Sequence, residues 1–371
     1  MTPTQLRQSL LLVLLFLLGI GTVAVYSSST LAAEFAYGDG FHFVKQHLVA
    51  IGCGAALAGA CLAVPYARLR AGSRWAILLS LALLVLVLVA GQEIGGARRW
   101  FRLGRLSLQP SEFAQLALVV YLADLLARKA GFIREFRKGV LPAVAVTGLC
   151  AGLVLLQPDL GTATVMGAVA MLLLIVANAK PQHVLGLLGA AAALLVVLIM
   201  GAEYRRRRIF AFLDPWNDPY GSGYQILQSY FALASGGLIG LGVGGSVQKL
   251  FYLPSAHTDF ILAIIGEELG LVGTTAVLLA FALFLILGFR MAMLIEDRFG
   301  KYLTCGLVAM IGLEAMVNIG VVTGMLPTKG LPLPLISYGG TSMVMNLVAC
   351  ALIFKASHDG ARTGISGALR D

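Results

Sequence analysis

Long apolar runs separated by short polar ones recur from one end of the chain to the other. A helix that crosses the hydrocarbon core of a bilayer needs roughly 20 predominantly apolar residues. Runs of that kind fall at 10–27, 43–64, 75–91, 111–127, 140–156, 161–178, 183–201, 260–289, 302–322 and 340–356. The pattern predicts an all-α polytopic membrane protein of about ten transmembrane helices, with a long extracytoplasmic loop between spans 7 and 8. Between the fifth and sixth spans stands Gln157-Pro158-Asp159-Leu160-Gly161, where a proline beside an acid favours a tight turn over a lipid-exposed helix interior. The first run follows Arg7 and lacks a small-residue cleavage site, so it reads as a retained span.

Polar residues are concentrated in a few places. The segment 202–258 is too long for a simple connector. Within it, 224–234 (YQILQSYFALA) places apolar residues at helical spacing and reads as an amphipathic helix along the outer interface. Six glycines between Gly236 and Gly245 then suggest a flexible turn; no strand precedes them and no Gly-Lys-Ser follows, which argues against a nucleotide loop. In 323–341, Pro327, Pro332 and Pro334 forbid a regular helix at membrane depth, and such backbone survives only where it lines a cavity or is packed in protein. The reading is one transmembrane domain over 1–371, without an internal repeat or a large soluble domain.

Composition agrees with the pattern. Hydrophobic residues make up 59% of the chain and charged ones 12%, with a mean hydropathy of +0.89, which leaves too little polar surface for a soluble globule. The net charge of +9 then reads as loop charge facing anionic lipid, not as a nucleic-acid footprint. Cys53, Cys61, Cys150, Cys305 and Cys350 sit in apolar runs at unrelated spacings, which fits packing residues and neither a disulfide framework nor a zinc site.

With the N-terminus inside, 16 of the 27 Lys and Arg fall on inner segments and 11 on outer ones, so both termini are expected in the cytoplasm. Eight of the outer charges occupy two places: Arg98, Arg99, Arg102 and Arg105, and the run Arg205 to Arg208. Cations where topology disfavours them point to an anionic ligand or a partner protein, or to snorkelling toward lipid phosphate. The first cluster lies in a glycine-bounded loop ahead of Gln109-Pro110-Ser111-Glu112, where Pro110 and Ser111 are helix-start chemistry and Glu112 is a carboxylate just below the outer surface. Asp259, beside His257 and Thr258 at the outer mouth of a span, reads either as a helix cap or as a base. Glu267 and Glu268 lie two turns deeper, where one of them is expected to pair with a cation; Asp159 reads as a turn or inter-helix anchor.

Five strings occur in order along the chain: QPSE (109–112), QPDLGT (157–162), DPWNDPYGSGYQILQS (214–229), QKLFYLPSAHTDFILAIIGEELG (248–270) and LPTKGLPLPLISYGG (326–340). Over nearly its whole length the chain thereby resembles the SEDS family (shape, elongation, division and sporulation proteins of bacterial wall synthesis). VYSSST after the first span, GEELG and LPTKG bring it nearer the division branch than the elongation branch, and the sporulation branch shares many of these features. The resemblance implies a peptidoglycan glycosyltransferase of the bacterial cytoplasmic membrane that polymerises lipid II, with Asp259 as the family's key acid. It also implies a class B penicillin-binding protein as crosslinking partner, along with other division or elongation proteins. One departure is visible: the family usually carries a lysine where this chain has Gln115, so a Glu112–lysine pair on one helix face cannot form.

Joining two lipid-linked sugars needs a base for the acceptor hydroxyl and positive charge for the departing diphosphate. Under the resemblance, Asp259 takes the base role in a single-displacement inversion. Arg98, Arg99, Arg205, Arg208, Lys249 and Lys329 are the candidates for the diphosphate, and Glu112, His257, Thr258, Glu267, Glu268 and Ser337 support the site. No cofactor is required; a divalent cation (Mg or Mn) is a possible aid to the diphosphate, although no carboxylate cluster has ligand spacing. The competing expectation is a lipid II flippase, since broken helices and intramembrane acids also suit a carrier.

Overall fold

The computed structural model describes residues 2–94, 96–103 and 106–367. In chain order its helices begin with α1 (Pro3–Tyr37), α2 (His42–Ala63), α3 (Tyr66–Ala90) and α4 (Pro110–Arg128). There follow α5 (Leu141–Leu156), extended at its start by one π-turn, then α6 (Leu160–Val176) and α7 (Pro181–Met200). On the outer side come α8 (Glu203–Leu213) and α9 (Tyr224–Gly236), and the chain closes with α10 (Ile261–Met293), α11 (Arg298–Val322) and α12 (Gly340–Gly367). Among the described residues nine helices are long and apolar enough to cross a membrane, and α6 is a shorter apolar helix of 17 residues. The protein is a multi-pass membrane protein.

Burial sorts the helices into an inside and an outside. About three quarters of the apolar windows of α4, α11 and α12 are buried (78%, 72% and 78%), against 6% for α7 and 17% for α2, so the first three form the centre and the latter two face lipid. Local chemistry places their ends. Pro110 sits in the first turn of α4, where its missing N–H costs nothing, and Glu112 follows in the same turn. Asp159 caps α6, accepting from the Thr162 N–H at 3.0 Å and the Thr162 hydroxyl at 2.9 Å. The interruption at Gln157-Pro158 thus ends one helix and Asp159 starts the next.

The segment between α3 and α4 is not only a glycine loop. It forms three short antiparallel strands, β1 (Gln92–Ile94), β2 (Ala97–Leu103) and β3 (Leu106–Leu108), with Glu93 opposite Arg98 and Arg102 opposite Ser107. Trp100 and Phe101 favour a pleated, half-covered surface, a signal outweighed in the sequence by the glycines that bound the segment. Arg105 lies outside the described residues.

The glycine stretch after α9 is likewise not a free turn. α10 breaks at Gly270, whose φ of +65° and ψ of −161° suit almost no other residue. The break frees two carbonyls and two amides at membrane depth, where unpaired backbone groups are costly. The glycine stretch satisfies all four. The N–H groups of Leu241 and Gly242 donate to the carbonyls of Glu267 and Glu268 (3.0 Å each), and those of Leu271 and Val272 donate to Gly237 and Leu238 (2.9 and 3.2 Å). Gly236 approaches so closely that a Cβ there would lie 1.9 Å from the Gly266 carbonyl oxygen. The helix expected along the interface, α9, is therefore docked through Ile226, Leu227, Ser229 and Ala232 against the protein, with the Ser229 hydroxyl donating to the Val322 carbonyl of α11 at 2.8 Å.

Candidate functional site

Asp259 lies in the turn that leads into α10, one residue before the position that caps the helix. That cap is Phe260, and no side chain caps the helix there, so the capping role open to Asp259 on sequence is not the one it plays. Among the described residues its carboxyl oxygens accept no hydrogen bond; only its main-chain carbonyl is held, by Asn318 Nδ2 at 2.8 Å, and the same amide donates to the Leu331 carbonyl at 2.8 Å. Asn318 therefore ties the Asp259 turn to the proline-rich segment after α11.

A second tie comes from Ser337. Its hydroxyl donates to the Thr258 carbonyl at 2.6 Å and accepts from the Leu333 N–H at 2.8 Å, while the Tyr338 N–H donates to the His257 carbonyl at 3.0 Å. The His257 ring packs between Phe43 and Tyr338, with centroids 4.7 and 5.7 Å away, and among the described residues no ion pair involves it. Burial holds the His257 imidazole below its ordinary pKa, which fits an uncharged orienting group. Hydrogen bonds from two segments, α11 and the proline-rich stretch, thus hold the main-chain carbonyls of 257–259, while among the described residues the Asp259 carboxyl accepts none.

The carboxyl has charged neighbours. Burial pushes its pKa up to about 6, against the pull of the Arg208 guanidinium and with a smaller push from Asp159. Arg208 projects from α8 and donates to the Thr328 carbonyl at 3.2 Å. Lys329 follows Thr328; burial lowers its ammonium pKa and Asp159 opposes that shift. Gly330 comes next, and a Cβ there would lie 3.3 Å from Asp259 Oδ2. The segment 328–330 therefore passes between the Arg208 helix and the acid, with its smallest residue against the carboxylate.

On its other side Gly330 borders a small cavity of about 30 Å³, walled by Glu112, Gln115, Thr162, Glu314 and Ser342. Among the described residues Glu112 pairs with no cation: one of its carboxylate oxygens is buried without a partner, and Glu314 of α11 is the acid beside it. Gln115 donates to Glu314 Oε1 at 2.9 Å. Glu314 was not picked out in the sequence because it stands alone in an apolar run; an acid at mid-span was the signal that could have found it.

The other predicted cations are engaged elsewhere. Lys249 is not available to a diphosphate: its Nζ lies 2.8 Å from Glu268 Oε1 and 3.1 Å from the Ser27 hydroxyl, and its side chain is only 7% exposed. Glu267 receives the Ser246 hydroxyl and the N–H groups of Val247 and Gln248 (3.0 and 3.3 Å), so the two acids anchor the 246–249 loop and act structurally. Arg99 clamps the turn before α6, donating to the carbonyls of Gln157 at 2.6 Å and Pro158 at 2.8 Å. Arg98 is exposed and lies 3.6 Å from Glu93, and Arg205 donates to the Tyr204 hydroxyl and the Leu198 carbonyl at 2.9 Å each. The structure brings Arg208 to Asp259, sets Lys329 on the segment beside it within the field of Asp159, and leaves Arg98, Arg99, Arg205 and Lys249 outside that group. Among the described residues no group of three or more His, Cys, Asp or Glu is placed to hold a metal ion.

Comparison with known proteins gives a consistent result. The family model described as cell cycle protein, FtsW/RodA/SpoVE, matches residues 7–361. The probable peptidoglycan glycosyltransferase FtsW of Geobacter metallireducens is 42% identical over 354 residues, covering 94% of this chain and 93% of that one. Stage V sporulation protein E of Bacillus subtilis is 41% identical over 363 residues, covering 96% and 99%. Among solved structures, a chain from work on the coordination of polymerization and crosslinking by a peptidoglycan synthase complex superposes with a TM-score of 0.80 at 32% identity, covering 95% of this chain and 98% of that one. The rod shape determining protein RodA of Thermus thermophilus gives 0.71 at 29%, covering 95% and 96%.

Proposed function

This chain belongs to the FtsW/RodA/SpoVE family of cell cycle proteins, and from that membership we propose how its Asp259 site does its work. The protein is a peptidoglycan glycosyltransferase of cell-wall synthesis, acting on lipid II. In the reading favoured here, Asp259 takes the proton from an acceptor GlcNAc hydroxyl as that oxygen forms a bond to the donor anomeric carbon. The bond from that carbon to the lipid diphosphate breaks with inversion, and the diphosphate leaves with the electron pair toward Arg208 and Lys329. The observation that carries the reading is a carboxyl without a hydrogen-bond partner among the described residues, held by its backbone within the field of a guanidinium of another element. A base must keep its lone pairs free for the incoming proton, whereas a structural acid spends them.

Septal synthesis is the role we assign within the family, on the FtsW identities, with cytoplasmic termini in the bacterial inner membrane. A crosslinking penicillin-binding protein of class B is the partner we assign, because a solved relative comes from a synthase complex. The diphosphate charge is assigned to the arginine and lysine side chains and not to Mg or Mn. Polymerisation of lipid II by the purified protein, with no other polymerase present, tests the reading. Wild type is expected to make glycan strands and Asp259→Ala none, with and without the partner. Activity retained by a folded Asp259→Ala protein, or lipid scrambling without polymer, would replace the glycosyl-transfer reading with that of a carrier; activity abolished by chelation and restored by Mg or Mn would overturn the assignment of charge.

A further inference from the structure

A second cavity, of about 830 Å³, opens at the opposite end of the bundle, where α3 begins and α4 ends. Three arginines line it: Arg70 and Arg74 of α3, four residues apart on one helix face, and Arg128 of α4. Asp124, only 4% exposed, holds two of them. It takes Arg70 Nε on Oδ1 and Arg128 Nε on Oδ2, both at 2.9 Å. Among the described residues the terminal nitrogens of both guanidiniums donate to nothing in the protein, and Arg74 has no partner. The other wall carboxylate, Asp297, takes the Tyr66 hydroxyl at 2.6 Å and the Gly300 N–H at 2.9 Å, both on Oδ2. The cavity therefore carries more cation than anion, with two of its three guanidiniums fixed in place by a buried acid.

Its remaining wall is apolar. Trp75 and Leu78 border it and are 76% and 55% exposed, so it opens along the lipid-facing flank of α3. A tryptophan beside arginines, with an aliphatic wall continuing toward the hydrocarbon, matches a phospholipid with its headgroup phosphate at the arginines and its chain along Leu78. A free anion would have no use for that wall.

We propose that this cavity binds the headgroup of an anionic phospholipid of the inner leaflet, held by Arg70, Arg74 and Arg128 around Asp124. The leaflet rests on the orientation given above; the binding itself does not depend on it, nor on the polymerase chemistry at the other end.

Native mass spectrometry of the full chain in detergent, with added phosphatidylglycerol or phosphatidylcholine, tests this. Arg74→Gln removes an exposed cation without breaking an ion pair, so folding is expected to survive, as a wild-type elution profile would verify. Phosphatidylglycerol is expected to bind in preference to phosphatidylcholine, and Arg74→Gln to weaken it about five-fold, what one arginine near an anionic surface is worth. Arg207→Gln, on the outer side, is the control and is expected to leave binding unchanged. Equal retention of both lipids, or unchanged phosphatidylglycerol binding in Arg74→Gln, would overturn the proposal. Displacement of the lipid by millimolar inorganic phosphate would overturn it too, by making the site one for free anions.

Discussion

The Lys249 ammonium lies 2.8 Å from the Glu268 carboxylate, with side-chain exposures of 7% and 5%, and joins the outer loop to α10 just ahead of its break at Gly270. Glu268 also receives the Ser27 hydroxyl at 2.6 Å, so three elements distant in sequence meet at one carboxylate. The adjacent Glu267 gathers the start of the same loop. These two acids, 19 to 21 residues beyond the loop they anchor, hold the scaffold on which the Asp259 turn is built.

Removing one member of such a pair leaves the other charged and desolvated. Lys249→Ala or Glu268→Ala is expected to cost about 3–5 kcal/mol of stability, while a volume-matched apolar replacement of both costs far less. Thermal unfolding of the purified protein in detergent, single variants against the double, gives the comparison. A diphosphate ligand at Lys249 would predict the opposite pattern: loss of activity with little loss of stability.

Much of this was legible in the sequence, and the limits have physical reasons. The apolar runs gave the helices because in lipid the backbone has few alternatives to helix. The turn at Pro158 and the irregular segment around Pro332 could be read because proline removes a donor whatever surrounds it. Arg208 and Arg205 could not be told apart: three residues on one helix separate them, and only the tertiary position of Thr328 decides which guanidinium meets the acid's loop. The strands at 92–108 are set by pairing with one another, which short runs hardly signal. The four hydrogen bonds across the Gly270 break depend on two segments about 30 residues apart, and a string of glycines reads as loose until its partner is known.

The Gly270 break is open to a direct test. A Cβ on Gly270 would lie 2.4 Å from the Gly240 nitrogen and 2.6 Å from the Leu238 oxygen, in a backbone conformation essentially confined to glycine. Gly270→Ala is expected to cost about 1–3 kcal/mol from backbone strain alone and to loosen the 236–249 segment. Limited proteolysis should cut that segment faster in the variant, while cleavage elsewhere stays unchanged.

The Gln115 amide is the hydrogen-bond donor to Glu314, at 2.9 Å. Gln115→Leu keeps the volume and removes the donor, so it is expected to destabilise the protein by about 1–3 kcal/mol through a stranded buried acceptor. Gln115→Lys places a cation between Glu314 and the unpartnered oxygen of Glu112, and is expected to raise the unfolding temperature. A lower unfolding temperature for the lysine variant would mean that the two acids do not face a common space.

The pH dependence of polymerisation follows from the environment of Asp259. A base works ionised, and burial raises this carboxyl from 3.8 to about 6, so the rate is expected to fall about ten-fold per pH unit below that value. Arg208 opposes the shift; Arg208→Ala removes its positive field, disfavours the carboxylate and moves the acid limb to higher pH. The stability sign is the reverse of an ordinary ion-paired acid. A carboxyl whose folded pKa is raised binds its proton more tightly in the fold than in the unfolded chain, so its contribution declines as pH rises from 3.8 through about 6. Asp259→Asn, neutral at every pH, is therefore expected to lose about 10²–10⁴ in rate and yet to unfold at a higher temperature than wild type at pH 7. An acid limb that stays fixed when Arg208 is replaced would show that some group other than Asp259 carries the titration.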